Sequence, residues 1–181
     1  MLTIITPCSR PENLSKLFDS INFDKIDKWI IVYDTSKDRK YNKIFLDNPK
    51  ISEYEKDGGI SGNPQRNYAI DLVNDGWVYF LDDDNIIHPD FWSILDNLDE
   101  NYYYTFDMLR SNGLFKGKYI KLNWIDTAMY LLHRKHIGDI RWKNELYTAD
   151  GHFICDIFKN YKKGHKYVEK ICAYYNYLKN I

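Results

Sequence analysis

The sequence is short of several things, and each shortage closes off a class of protein. Its three cysteines, Cys8, Cys155 and Cys172, are odd in number and far apart. No Cys-x-x-Cys pair occurs, so neither a cysteine zinc site nor a disulfide framework is indicated, and free thiols in a reducing compartment are the simplest account. No apolar run approaches the roughly 18 residues that span a bilayer. Residues 1–7, Met-Leu-Thr-Ile-Ile-Thr-Pro, lack the basic stretch and long apolar segment of a secretion signal. Charge of one sign is missing too: 25 Lys and Arg face 26 Asp and Glu, a net −1. That balance provides no general field for nucleic acid or membrane. The basic run over 159–170 is local, a solvated face or a docking patch. These absences lead to the expectation of a soluble cytoplasmic protein with no nucleic-acid partner and no transmembrane segment, whole or cut from something longer.

What is present suits one globular domain. The 181 residues are 44% apolar, with 16 Tyr, and show no repeat or low-complexity linker. Residues 2–6 form a short apolar, β-branched run ended by Pro7, a buried strand. Residues 11–21 place Leu14, Leu17, Phe18 and Ile21 at helical spacing behind Pro11. A second strand covers 29–33 and a third 51–55, with a short helix expected within 37–47. The loop 58–64 leads to a helix with Tyr68, Ala69, Leu72 and Val73 as its apolar stripe. A fourth strand begins at Trp77. Strand and helix alternate through the first 85 residues, which predicts an α/β fold with a mostly parallel sheet flanked by helices. The second half is less regular: a helix carrying Phe91, Leu95 and Leu98, strands at 102–106, 127–133 and 168–178, a hairpin or loop at 110–118, and a helix starting near Thr148.

Trp77-Val-Tyr-Phe-Leu runs straight into Asp82-Asp83-Asp84-Asn85. Three adjacent carboxylates resist burial. They belong just past the carboxyl end of the strand, where open α/β sheets bind ligands. Right-handed crossovers bring Thr6, Pro7 and Asp34 to the same edge. Clustered hard oxygens there suit Mg²⁺ or Mn²⁺ carrying substrate phosphates.

These stretches resemble the GT-A-fold glycosyltransferases, family-2-like, over about residues 2–160. Thr6-Pro7-Cys8-Ser9-Arg10-Pro11 is similar to their first-strand motif, and Val32-Tyr33-Asp34 to their second-strand acid. Residues 62–69 resemble the loop and helix that bear an Arg and an Asn. Asp82-Asp83-Asp84-Asn85 resembles the DxD motif, with some likeness to glucuronyltransferases. Thr148-Ala149-Asp150-Gly151 resembles the later acidic motif, although Ala149 stands where Glu is usual.

The resemblance implies a compact single-domain Rossmann-like GT-A fold, with a nucleotide-sugar half over about 1–100 and an acceptor half over about 101–181. It implies a metal-dependent transfer from a UDP- or GDP-sugar to a carbohydrate or other hydroxyl acceptor. Asp84 would bind Mn²⁺ or Mg²⁺ directly. Asp82 would be a further ligand, or meet the ribose or a metal-bound water, and Asp83 would support them or be a turn residue. Thr6, Pro7, Arg10, Asp34 and Arg66 would frame the nucleotide. Asp150 would be the general base of an inverting reaction. A third metal ligand would be His152, His165 or neither, with Asn176 in the same region. Trp124, Trp142 and Tyr147 either stack on an acceptor sugar or pack the rim. A homo-oligomer or partner domain could complete so short an acceptor half.

Two other classes compete. A sugar-nucleotide nucleotidyltransferase opens with a Gly-rich basic loop after the first strand, where this chain has Pro7-Cys-Ser-Arg-Pro. An inactive nucleotide-sugar-binding domain would have no need of the Asp triplet together with Asp150.

Overall fold

A computed structural model describes residues 1–36 and 47–179. The helix expected within 37–47 falls almost wholly outside the described residues. The strands are β1 (Leu2–Cys8), β2 (Lys28–Asp34), β3 (Ile51–Lys56), β4 (Trp77–Phe80), β5 (Ile86–Ile87), β6 (Tyr103–Arg110), β7 (Gly113–Phe115), β8 (Tyr130–His133) and β9 (His165–Tyr174). The helices are α1 (Leu14–Ser20), α2 (Asn63–Asp71), α3 (Phe91–Ile94), α4 (Arg134–Ile137) and α5 (Ala149–Asn160).

All seven residues of β1 are buried, as are the middle five of β2. Strands buried on both faces read as near-continuous apolar runs, which is why these were legible. Among the described residues the sheet order is β3-β2-β1-β4-β8-β6-β9-β5, with β7 on β6. The first four strands are parallel, with α1 crossing from β1 to β2 and α2 from β3 to β4. Pairing then becomes mixed: β8 is antiparallel to β4 and β6, while β6 and β9 are parallel. The chain winds from β1 outward to β2 and β3, then returns to place β4 on β1's other side. The β1–β4 boundary is therefore a topological switch point, where a crevice opens beyond the carboxyl ends.

One core joins the halves. The β4 residue Phe80 meets Trp142 at 4.5 Å and the α5 residue Phe153 at 5.9 Å between ring centroids. Trp142 is itself stacked on Phe153 at 3.6 Å. Among the described residues no helix is long and apolar enough to cross a membrane.

Several element boundaries differ from the sequence reading. Residues 11–21 begin as a 3-10 turn, Pro11–Asn13, before α1. Residues 127–133 open with a 3-10 turn, Thr127–Met129, capped by the Asp126 side chain, which accepts from Ala128 N–H, and only then become β8. The last strand starts earlier than expected and ends at Tyr174, with a turn over 175–179. The buried residues of α2 are Asn63, Pro64, Gln65, Arg66, Ala69 and Ile70, so half of that face is polar. The expected apolar stripe holds, with Ala69 and Val73 buried and Tyr68 and Leu72 packed on the core, but periodicity left out the polar part of the face, where Arg66 and Gln65 find buried partners.

Candidate active site

A cleft of about 410 Å³ opens at the switch point, within the usual range for ligand pockets. Pro7, Arg10, Asp34, Arg66, Asp82, Asp83, Asp84 and Asp150 all line it. Elements far apart in sequence thus converge on one place.

The Asp triplet divides sharply. Asp83 is 2% exposed and bound to the β1 turn. Its Oδ2 accepts the backbone N–H groups of Ser9 at 2.5 Å and Arg10 at 2.7 Å, and its Oδ1 accepts Arg10 Nε at 2.9 Å. Asn13 Nδ2 donates to the Asp83 carbonyl at 2.9 Å. This carboxylate laces β1 to β4 across the crevice. Asp84 accepts Arg10 Nη2 at 2.8 Å on Oδ2, and Oδ1 has no hydrogen-bond partner among the described residues. Burial, then the nearby Asp82, pushes its carboxyl up to about 6. Asp82 has both oxygens engaged, one by Arg66 Nη2 at 2.5 Å and the other by the Thr127 hydroxyl at 3.0 Å.

Arg66 is held by α2 and by the loop before it. Its Nη1 donates to the Ser61 carbonyl at 2.7 Å. Gly62 makes this approach possible: its φ is +76°, and a Cβ there would stand 2.6 Å from Pro7 Cβ. Asp34 lines the cleft at the end of β2, with Oδ1 accepting Ser36 N–H at 3.0 Å in a local turn.

Thr6 is placed elsewhere. It is fully buried, and its hydroxyl accepts Trp29 Nε1 at 2.9 Å, so its side chain braces β1 against β2. It does not line the cleft. His152 and His165 do not line it either; His165 Nε2 lies 2.7 Å from the Thr105 hydroxyl at the opposite end of β6. Asn176 and Lys179 do line it. Trp142 is core, at 2% exposed, whereas Tyr147 is 79% exposed on the cleft rim.

On the other side, Asp150 sits in the first turn of α5 with Oδ1 accepting Gly151 N–H at 2.7 Å. Burial raises its carboxyl above the usual range. A second acid here was missed by the sequence reading. Asp126 lines the cleft, and burial with Asp82 and Asp150 nearby pushes its carboxyl up to about 7. Nothing local in Ile125-Asp126-Thr127 marks it, because its importance comes from neighbours more than 20 residues away. Arg110, which the sequence reading gave only as the start of a hairpin or loop over 110–118, lines the cleft at the end of β6.

Among the described residues, no three His, Cys, Asp or Glu form a ready metal cage. The donor chemistry still fits a hard divalent ion at Asp84. One oxygen is uncommitted, the surrounding carboxylates favour a cation, and Mg²⁺-type sites commonly take one or two carboxylates and complete their shell with water and phosphate.

No protein-family model matches this sequence, and no curated protein does. Solved structures do. S. aureus TarS, residues 1–349, superposes with a TM-score of 0.70 at 18% identity, covering 96% of this chain and 59% of that one. The TarS 1–349 complex with UDP-GlcNAc gives 0.67 at 22% identity, covering 96% and 57%. A longer TarS structure gives 0.71 at 17%, covering 96% and 36%. This chain thus spans little more than half of the shorter TarS. At such identities the likeness speaks for architecture alone: a mixed α/β chain of the GT-A type.

Proposed function

We propose that this chain is a glycosyltransferase that moves a sugar from a nucleoside-diphosphate sugar to an acceptor hydroxyl, inverting the anomeric carbon. The observation that carries the reading is the meeting of Asp84 and Asp150 in one cleft at the β1–β4 switch point, with burial, and after it Asp82, raising the carboxyl of each. Uridine donors come first because TarS structures hold UDP and UDP-GlcNAc.

Each residue then has a physical task. Asp34 and Pro7 border the nucleotide end, and Asp34 keeps Oδ2 for a base or ribose hydroxyl. Mn²⁺ or Mg²⁺, held through Asp84 and steadied by Asp82 through water, would offset charge gathering on the departing diphosphate. Lys179 is near enough to ease the charge of Asp84, which places it to meet a phosphate as well. Asp150 accepts the acceptor's hydroxyl proton while that oxygen bonds the anomeric carbon. The bond to the diphosphate breaks at the same time, and its electron pair leaves with the nucleotide. A carboxyl raised by burial is a better base than one in water.

A second assignment of the base rests on one observation: Asp126 shares the cleft and its carboxyl is pushed higher, to about 7. Asp150→Asn and Asp126→Asn decide between them. The true base, once removed, lowers turnover by about 10²–10⁴ with donor affinity unchanged. The primary test is a donor screen with Mn²⁺ and with Mg²⁺, reading thermal shift and donor hydrolysis. A UDP-sugar with metal should raise Tm, and Asp84→Ala should abolish the metal-dependent part. Silence towards every nucleoside-diphosphate sugar with both metals would falsify the proposal.

A further inference from the structure

Among the described residues four cations line the cleft: Arg10, Arg66, Arg110 and Lys179. The first two are committed. Arg10 is tied to Asp83 and Asp84, and Arg66 to Asp82 and the Ser61 carbonyl. Arg110 is held differently. Its guanidinium carbon lies 3.3 Å from the centre of the Phe115 ring and 4.4 Å from that of Tyr175. The hairpin register explains the first contact: Phe115 opposes Met108 on β6, which puts it diagonal to Arg110 on the same face. A hydrogen bond from Tyr175 N–H to the Leu109 carbonyl at 2.8 Å fixes the second ring.

Two aromatic faces immobilise a guanidinium without neutralising it. Among the described residues no carboxylate pairs with Arg110 and neither Nη has a hydrogen-bond partner. Nε is sealed off without an acceptor, whereas the Nη nitrogens are not sealed. Such a planar fork, fixed in place and uncommitted, suits a phosphate or carboxylate.

Its neighbours place it beside the acids on the Asp150 side of the cleft. β6, which ends at Arg110, and β9 both pack on the Thr127–Met129 turn that the Asp126 side chain caps. Arg110, Asp126 and Tyr147 line the cleft together and are the charges that surround Tyr175. That group borders Asp150, to which Asp126 responds.

We propose that Arg110, clamped between Phe115 and Tyr175, is an anion-recognition subsite for the acceptor, so the hydroxyl that receives the sugar belongs to a molecule bearing a phosphate or carboxylate group. The proposal rests on the glycosyltransferase reading for the word acceptor, but its binding test does not. Protein with saturating UDP and Mn²⁺, and protein with neither, is titrated calorimetrically with glucose, glucose 6-phosphate and glucuronate. The expected result in wild type is binding of at least one anionic sugar about tenfold or more tighter than glucose, the scale of a charge-assisted bidentate contact. The stronger of the two identifies the group. Arg110→Gln should erase the preference and leave UDP affinity within about twofold, while Arg110→Lys keeps the charge but loses the fork and retains only part. If Arg110→Gln does not fold, Arg110→Lys carries the comparison. Equal affinity for the three sugars, no detectable binding of any, or an intact preference in Arg110→Gln overturns the proposal. Failure of the glycosyltransferase reading shows separately, as no response to UDP-sugars while the sugar titrations of the free protein still report on Arg110.

Discussion

Three identical side chains in a row take three different burdens. Asp83 satisfies two backbone N–H groups and a guanidinium in a nearly closed space, so Asp83→Ala strands all of them. A loss on the order of 3 kcal/mol is expected in a denaturant melt, with or without metal. Asp84 is the reverse case. Burial and Asp82 disfavour its ionised form even with Arg10 beside it, so Asp84→Asn should leave the metal-free protein about as stable as wild type, while removing the Mn²⁺-dependent rise in Tm. The pH dependence has the same origin. Asp84 and Asp126 hold their protons more tightly folded than unfolded, at about 6 and about 7. That contribution is fully present below the unfolded value near 4 and is lost as pH climbs through the folded values. Burial holds His133, His136 and His165 below their ordinary value, which acts in the opposite sense below about pH 6.5. The acids are therefore read by difference: with a chelator present, the Tm of wild type relative to the Asp84→Asn, Asp126→Asn double variant should fall between about pH 4 and pH 7, and a difference that rises over that window would contradict it.

At the scale of elements, the site depends on the loop in front of α2. Gly62 adopts a left-handed conformation against Pro7, and any side chain there strains the backbone and pushes on β1. Gly62→Ala should cost about 1–3 kcal/mol and weaken donor binding more than Tm alone implies, because the Ser61 carbonyl that orients Arg66 moves with it. Periodicity made the four parallel strands and α5 legible, since each buries residues at its natural spacing. It gave only part of the buried face of α2, because Arg66 and Gln65 are buried outside the apolar pattern for the sake of Asp82 and the Lys56 carbonyl. Residues 127–133 held a similar trap: an apolar run hid a capped turn. The acids after β4 were conspicuous because three carboxylates end an apolar strand. Asp126 and Arg110 had no such signal, since a lone charge acquires meaning only from partners that folding brings to it.

Across the whole molecule, the first and last parts of the chain share one site. Asn176 N–H donates to Asn85 Oδ1 at 2.8 Å, and Leu178 N–H donates to the Asp84 carbonyl at 2.9 Å. Removing 175–179 should leave β1, β2 and β4 folded yet weaken the metal and UDP response about tenfold or more, as measured by titration with each. Hydrogen exchange should mirror this division, slowest in those three buried strands and fastest in the exposed β7 hairpin. The C-terminal stitch also has a bearing on synthesis. A ribosome delivers β1 and β4 well before this turn, and domains consolidate as units while they emerge. The loop that carries Asp84 is therefore denied these restraints until the turn over 175–179 has emerged, so a nascent chain short of that turn would hold its parallel strands paired while the loop beyond β4 is still unpinned.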